Sequence, residues 1–527
     1  MNPDTLLDAI GEAKDSYIQD VRKAKRKKLP RPVKWIPAAA AGLALVLVVS
    51  SLLGNLGAQS GSGGNSDLNY MRYIGPVLPL TTQGTSDGIT ATRNVDFDFS
   101  RYRIFQECYL DENGQPVYYD RYDASAVVTD SYVLTNQTDR DLTVTLQYPF
   151  TGDMYEWVYY PTLSVNGETV DAVMHPGPYS GGFEGVWGSD GSELLNLNPL
   201  ENFEGYQALL SSGDYKKSAL DSFPVLDQTV YVYRLHDYVY TQDAQARNPT
   251  LSFSFYMDYA KTTVLSYGMN GASWDPESGF CSRRTGGIAY RPNVTPEHQH
   301  PEDSFVILLG EDLESYILQG YRDGGCEEGE ELEDLSCTVT RYETTLGEIM
   351  AELLADFLAE KNAQREEPLG EKVWDFLAAK ELYFGLSAEL LCTYGVIGDM
   401  PVERYELGGL EEIFSESLSN SRVIYLAFEV TVPAGGSITV EAVQIKDASR
   451  DYYGEEKNRE GFDMATCLGS DLDFTEQTAS ISQFDEIEIV AQNFGFDLEN
   501  GVTGVVLDPD REHYWIQVRK LQREQSE

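Results

Sequence analysis

One apolar stretch, Ile36 to Leu56, constrains everything around it in this 527-residue chain. It holds no charged residue, and as a helix it would reach about 31 Å, the thickness of a bilayer's hydrocarbon core. Ahead of it stand Arg22, Lys23, Lys25, Arg26, Lys27, Lys28, Arg31 and Lys34, and no Lys or Arg follows until Arg72. Basic flanks stay on the cytoplasmic side. The asymmetry therefore predicts a single-pass protein of the cell membrane, N-terminus cytoplasmic and C-terminal bulk extracellular, with residues 35–57 as the transmembrane helix. A cleaved signal peptide has a shorter basic region and an apolar core of about 7–15 residues. Ala58-Gln59-Ser60 has the form of a cleavage site, yet the length of both regions here favours a permanent signal anchor.

The charge divides at the same place. Nine Lys/Arg and five Asp/Glu precede Ile36, which leaves 30 basic against 80 acidic residues beyond it, a net of -50. A domain this acidic is repelled by nucleic acid and by anionic polymers. Solubility outside the cell explains the charge more simply than clustered carboxylates holding calcium. With 42% apolar residues and 34 Tyr the chain has ample material for a packed core. None of the six cysteines forms a C-x-x-C pair, so no zinc ribbon or redox motif is indicated. Cys326 and Cys337 flank an acidic loop that a bridge between them would close.

Residues 1–34 read as a cytoplasmic basic tail in which Leu6, Ile10, Tyr17 and Val21 share one helical face. Residues 58–90, opening with a Gly/Ser/Asn-rich run, read as a flexible tether. Strand alternation then dominates, as in Leu142, Val144, Leu146 and Tyr148 or Leu251, Phe253 and Phe255. Asn113-Gly114 and Asn166-Gly167 favour tight hairpins. The expected fold is mainly β, an antiparallel β-sandwich ectodomain with a helical insert, divided as β-rich 91–335, helical 336–400 and β-rich 401–520. The helical evidence is a capping box at Thr345 to Glu348 before the stripe Leu346, Ile349, Met350, Leu353, Leu354, Phe357 and Leu358. A second helix is expected from about Glu371 through Lys380, with Val373, Trp374 and Leu377 inward.

Chemistry-bearing motifs are sparse. His298 and His300 with the flanking carboxylate Glu302 form the candidate metal site, although no third ligand is firmly assignable and a solvated Pro-rich loop explains the segment without metal. Tyr155, Trp157 and Tyr159 put three aromatics on one strand face, either a core face or a sugar-stacking stripe. Tyr231, Tyr233, Tyr238 and Tyr240 make both faces of another strand aromatic, so at least one needs cover. No G-x-S-x-G, P-loop, H-E-x-x-H or supported G-x-G-x-x-G occurs, so no cofactor is implied and the reading leans away from an enzyme. A hydrolase would need paired carboxylates lining one cleft.

Two segments, Leu134 to Val144 and Val432 to Val440, resemble pieces of bacterial Ig-like surface sandwiches: strand, polar turn, strand. That family joins such pieces in one domain, whereas nearly 300 residues separate them here, which allows two sandwiches or one with a large insertion. The N-terminus, Asp8 to Glu12, Tyr17-Ile18, the basic run and the apolar stretch, resembles anti-sigma-factor-like membrane proteins of Gram-positive bacteria. The resemblance implies a tail that holds a cytoplasmic regulator and an outer domain that senses the envelope. The expectation is a membrane-anchored binding or sensor protein for an extracellular protein or glycan. The alternative is an extracellular adhesion or scaffolding module without signalling, and after it an anchored hydrolase.

Overall fold

The computed structural model describes residues 72–84, 86–110, 116–154, 160–179, 203–212, 226–243, 245–288, 303–363, 375–398, 401, 405, 407–450 and 459–521. All lie in a compact unit spanning Gly63–Glu527. Among them no helix is long and apolar enough to cross a membrane; the stretch Ile36 to Leu56 lies outside the described residues.

The described chain is mainly β. It opens with β1 (Thr81–Thr82), β2 (Ile89–Asp98), β3 (Arg103–Leu110), β4 (Pro116–Asp123), β5 (Ser125–Asn136) and β6 (Leu142–Gly152). There follow β7 (Thr162–Val165), β8 (Glu168–Thr169), β9 (Val173–Tyr179) and helix α1 (Phe203–Ser212). The next run comprises β10 (Thr229–Val239), β11 (Thr250–Tyr256), β12 (Thr263–Tyr267), β13 (Gly271–Asp275) and β14 (Phe280–Thr285). It continues with β15 (Ser304–Leu309), β16 (Tyr316–Tyr321), β17 (Glu331–Leu332) and β18 (Ser336–Thr345). Helices α2 (Leu346–Ala363), α3 (Lys380–Thr393) and α4 (Leu410–Ser419) come next. The last strands are β19 (Arg422–Val432), β20 (Ser437–Asp447), β21 (Ser449–Arg450), β22 (Glu460–Ala465), β23 (Asp473–Ser482), β24 (Ile487–Gln492), β25 (Gly504–Val506) and β26 (His513–Lys520).

Sheet I runs β25-β23-β2-β5-β20-β7-β8, sheet II β1-β6-β19-β9 and sheet III β21-β22-β26-β24. One face of sheet I carries two cores end to end, because β2 and β5 are long enough to serve both. Ile89, Ala91, Tyr132 and Leu134 pack with Leu146, Tyr148 and Phe428 of sheet II. Val95, Phe97, Ala126 and Val128 pack with Phe462, Met464, Ile516 and Val518 of sheet III. Sheet IV (β12-β15-β10-β18) is covered twice. Its Val230, Val232 and Ile307 face α2, α3 and α4, whereas Tyr233, Leu235 and Leu308 face sheet V (β13-β14-β11-β16-β17). The tyrosine-rich strand β10 thus obtains cover on both faces.

The two resembling segments, far apart in sequence, lie side by side. β5 pairs with β20 and β6 with β19, both antiparallel, so each segment crosses between sheets I and II, in opposite directions, and the two crossings stack. Asn136 ties them, its Nδ2 donating to the Val432 carbonyl at 3.0 Å. Segments 91–335 and 401–520, expected as separate β-rich domains, therefore contribute strands to shared sheets. One pairing departs from the antiparallel expectation: β2 and β23 run parallel. The Asn166-Gly167 hairpin forms as expected, with φ of 51° and 83° joining β7 to β8.

The capping box before α2 is present: Glu348 N donates to Thr345 Oγ1 and Thr345 N to Glu348 Oε2, each at 3.2 Å. The second helix falls later than expected, at Lys380–Thr393, and Leu377 is 38% exposed in the preceding turn. Tyr383, Leu386, Leu390 and Leu391 supply the buried stripe instead. Helix α4, within the expected β-rich 401–520, adds Leu410, Ile413, Phe414 and Leu418. Residues 336–345, placed in the helical segment, form the edge strand β18.

Candidate functional site beneath the N-terminal strap

Residues 72–82, expected as tether, are laced into the body as a strap. Val77, Leu78 and Leu80 are buried. Burying each such side chain contributes roughly 1.5–3 kcal/mol, against about 1–2 for fixing one residue's backbone. Gly75, at φ 85°, turns the strap under helix α1, where a Cβ would overlap the Tyr206 ring. Arg72 and Arg450 exchange main-chain bonds of 3.0 and 2.9 Å, and Val77 bonds to Asp463 O and from Ala465 N on β22. Because the strap and α1 cover the outer faces of sheets II and III, β22 and the first half of β19 are buried on both sides. Their alternation is masked there.

Ionisable groups concentrate below this strap. Asp463, 5% exposed, accepts from the Tyr73 hydroxyl and, at 2.8 Å, from His513 Nε2. The His513 ring stacks on Phe203 of α1, centroids 3.6 Å apart and planes nearly parallel. Lys446 is buried nearby; desolvation pushes its ammonium down to about 8, against the pull of Asp463 and Asp447. Burial pushes Glu460 up to about 8, where the Tyr102 hydroxyl donates to its carboxyl group.

At the boundary between the two cores of sheet I lies a fully buried pair. Arg93 grips Asp130 through two bonds of 2.8 Å, both side chains at 0% exposure. Burial opposes the Arg93 charge, but Asp130 outweighs it and the guanidinium stays charged. The remaining guanidinium nitrogen donates to Ala465 O and Thr466 O at 2.6 and 3.0 Å, at the end of β22. Tyr132 donates to Asp130 at 2.6 Å and accepts from Leu80 N of the strap at 2.9 Å. Burial raises the Tyr132 phenol well above its ordinary range, so it stays a donor. The network closes a ring: strap, Tyr132, Asp130, Arg93, β22, strap.

The arrangement ties the strap to β2, β5 and β22. No nucleophile is bonded to His513 by any contact described, and the hollow among Tyr73, Phe203, Phe462, Asp463, His513 and Trp515 has about 10 Å³ of free space, enough for one water. Among the described residues no group of three or more His, Cys, Asp or Glu is placed to hold a metal ion. The sequence-derived sites fall elsewhere. His298, His300 and Glu302, the aromatic face Tyr155, Trp157 and Tyr159, the tail face Leu6, Ile10, Tyr17 and Val21, and the basic flank Arg22 to Lys34 all lie outside the described residues. Cys326 and Cys337 are free thiols, so no bridge closes their loop. The strap site carried one readable signal. Arg93 and Asp130 occupy inward positions of otherwise apolar alternations, Ile89-Ala91-Arg93-Val95-Phe97 and Ala126-Val128-Asp130-Tyr132-Leu134.

No protein-family model matches the chain, and no curated protein matches its sequence.

Proposed function

We propose that the chain is a membrane-anchored binding and sensor protein of the cell envelope, with an extracytoplasmic β body whose state passes inward through the N-terminal tail. The observation that carries this reading is the charge asymmetry about Ile36 to Leu56, eight basic residues on one side and none on the other until Arg72. The strap supports it. The first described residues, from Arg72, enter the middle of the body and join a buried ionic network, so the N-terminal end of the described chain is tied to the core and not to its periphery. An adhesion module needs only a loose tether. The finer fold in this reading is an Ig-like antiparallel β-sandwich with a large insertion, supported by the two stacked crossings between sheets I and II.

Two measurements test it. Protease added to intact cells should cleave the body and spare an epitope placed before Arg22. Pull-down of the full chain should recover a cytoplasmic regulator that is lost when residues 4–21 are scrambled. An unchanged partner set on scrambling would replace the sensor reading with the adhesion or scaffolding one, and protection of the body would remove both.

A further inference from the structure

Sheet IV ends differently at its two edges. The β12 edge is occupied: Ser266 N donates to Gly408 O at 2.9 Å, and Ser266 and Gly409 form a parallel bridge. At the other edge, β18, no further strand pairs among the described residues. Over residues 338–345 this strand runs in unbroken antiparallel register with β10, and the one irregularity falls beyond, between His236 and Val239. Thr338, Thr340, Arg341 and Glu343 are exposed along it. A regular edge of this kind presents main-chain donors and acceptors at alternate residues to an incoming strand.

The charges on β18 select that strand. Arg341 lies over the Tyr231 ring and bonds to Asp312 Oδ2 at 2.7 and 3.2 Å and to Glu343 Oε1 at 2.7 Å. Arg341 and Glu343 flank Tyr342 and, being two apart, share one face of the sheet. Let two copies of β18 pair antiparallel about a two-fold axis through Tyr342, perpendicular to the sheet. Arg341 of each copy then stands opposite Glu343 of the other, and Thr340 opposite Thr344. An axis one residue earlier would oppose Arg341 to itself, and one residue later Glu343 to itself. Like charges directly opposed destabilise a strand pair and opposite charges stabilise it, so one register is selected. Helix α2 begins at Leu346, which confines the overlap to residues 339–345. We propose that β18 is a homodimer edge, through which sheet IV continues in this register into a second copy of the chain. The interface is small, so the dimer is a transient one that forms with rising concentration. This goes beyond the sensor reading and does not rest on it.

The test uses the purified full chain in neutral detergent, followed by sedimentation velocity over a wide concentration range. The wild type should pass reversibly from monomer to dimer. Arg341→Glu and Glu343→Arg each oppose like charges and should each weaken self-association about tenfold or more. An equimolar mixture of the two variants should restore association, which also shows that both are folded. Register is read by oxidative cross-linking. Tyr342→Cys should link two copies, with the 342–342 peptide identified by mass spectrometry. Glu343→Cys should not, because this register holds the two Cα atoms about 8 Å apart, beyond disulfide reach. A chain that stays monomeric at every concentration would overturn the proposal. So would a dimer that either charge variant leaves unchanged, or a link through Glu343→Cys in place of Tyr342→Cys. None of these readouts depends on membrane orientation or on the tail, so their failure leaves the cell-based tests of the sensor reading standing.

Discussion

The body built from sheets I, II and III and the insert built from sheets IV and V solve the same packing problem with opposite use of charge. Every strand of sheets IV and V comes from one contiguous run, residues 229–345. Its ion pairs sit at the surface, as Arg322 with Asp243 and Glu330, or Arg341 with Asp312 and Glu343. Its buried Arg283 donates to the Ser282 and Leu407 carbonyls. The body instead gathers strands from both ends of the chain, β2 beside β23 and the strap beside β22, and buries Arg93, Asp130, Lys446, Glu460 and Asp463. Short hairpins set the register of neighbours in sequence. Segments hundreds of residues apart have no such guide, and the Arg93 guanidinium, held by Asp130, supplies one through its bonds to Ala465 and Thr466.

Breaking that pair should cause the largest effect. Arg93→Ala leaves Asp130 charged and uncompensated and should cost about 3–5 kcal/mol in urea unfolding, whereas Arg93→Met with Asp130→Leu should recover most of it. A double variant as unstable as the single one would show that the guanidinium bonds to Ala465 and Thr466 matter more than the charge balance.

The two shifted groups should bend stability in opposite directions with pH. Glu460 is raised from 4.5 to about 8, so its contribution is full below 4.5 and is lost as pH rises through 8. Lys446 is lowered from 10.5 to about 8, so its contribution is full above 10.5 and is lost as pH falls through 8. Glu460→Gln should therefore gain on the wild type by a few kcal/mol between pH 4.5 and 8, and Lys446→Met as pH falls from 10.5 to 8. Parallel stability curves for wild type and variants would contradict the burial of these charges.

Smaller effects sharpen the contrast. Asp463→Ala removes the carboxylate that accepts from Tyr73 and His513 and should cost about 1–3 kcal/mol, with faster amide exchange confined to residues 72–80. Thr345→Ala removes one arm of the capping box and should cost about 1 kcal/mol in thermal unfolding. Glu330→Ala, at the surface of the insert, should change stability by about 0–1 kcal/mol. A larger loss there than for Asp463→Ala would reverse the comparison between the two regions.

Much of the local structure was legible. The alternations of β6, β11 and β20, the Asn166-Gly167 turn and the capping box of α2 each follow from a local rule, and each forms. Helix α4 carries a readable stripe, Leu410, Ile413, Phe414 and Leu418, behind two first-turn glutamates. The strap reads as linker because it follows a Gly/Ser-rich run and because Gly75, Pro76 and Pro79 interrupt its apolar residues. The strap site was legible only in part. Arg93 and Asp130 stand out as charges in an apolar phase, but nothing near Asp463 in sequence points to Tyr73 or His513.

What the sequence alone determined is what short-range chemistry controls: period-two alternation, positive-φ turns, helix caps and the charge step around Ile36 to Leu56. What only the tertiary structure decided is which distant segments meet. That β5 pairs with β20 across about 300 residues, that β23 lies parallel to β2, and that a strap closes a ring through Arg93 and Asp130 depend on the fit of whole faces and on pairing charges out of water. Those terms are summed over surfaces that exist only after the chain has closed, so no local window of residues contains them.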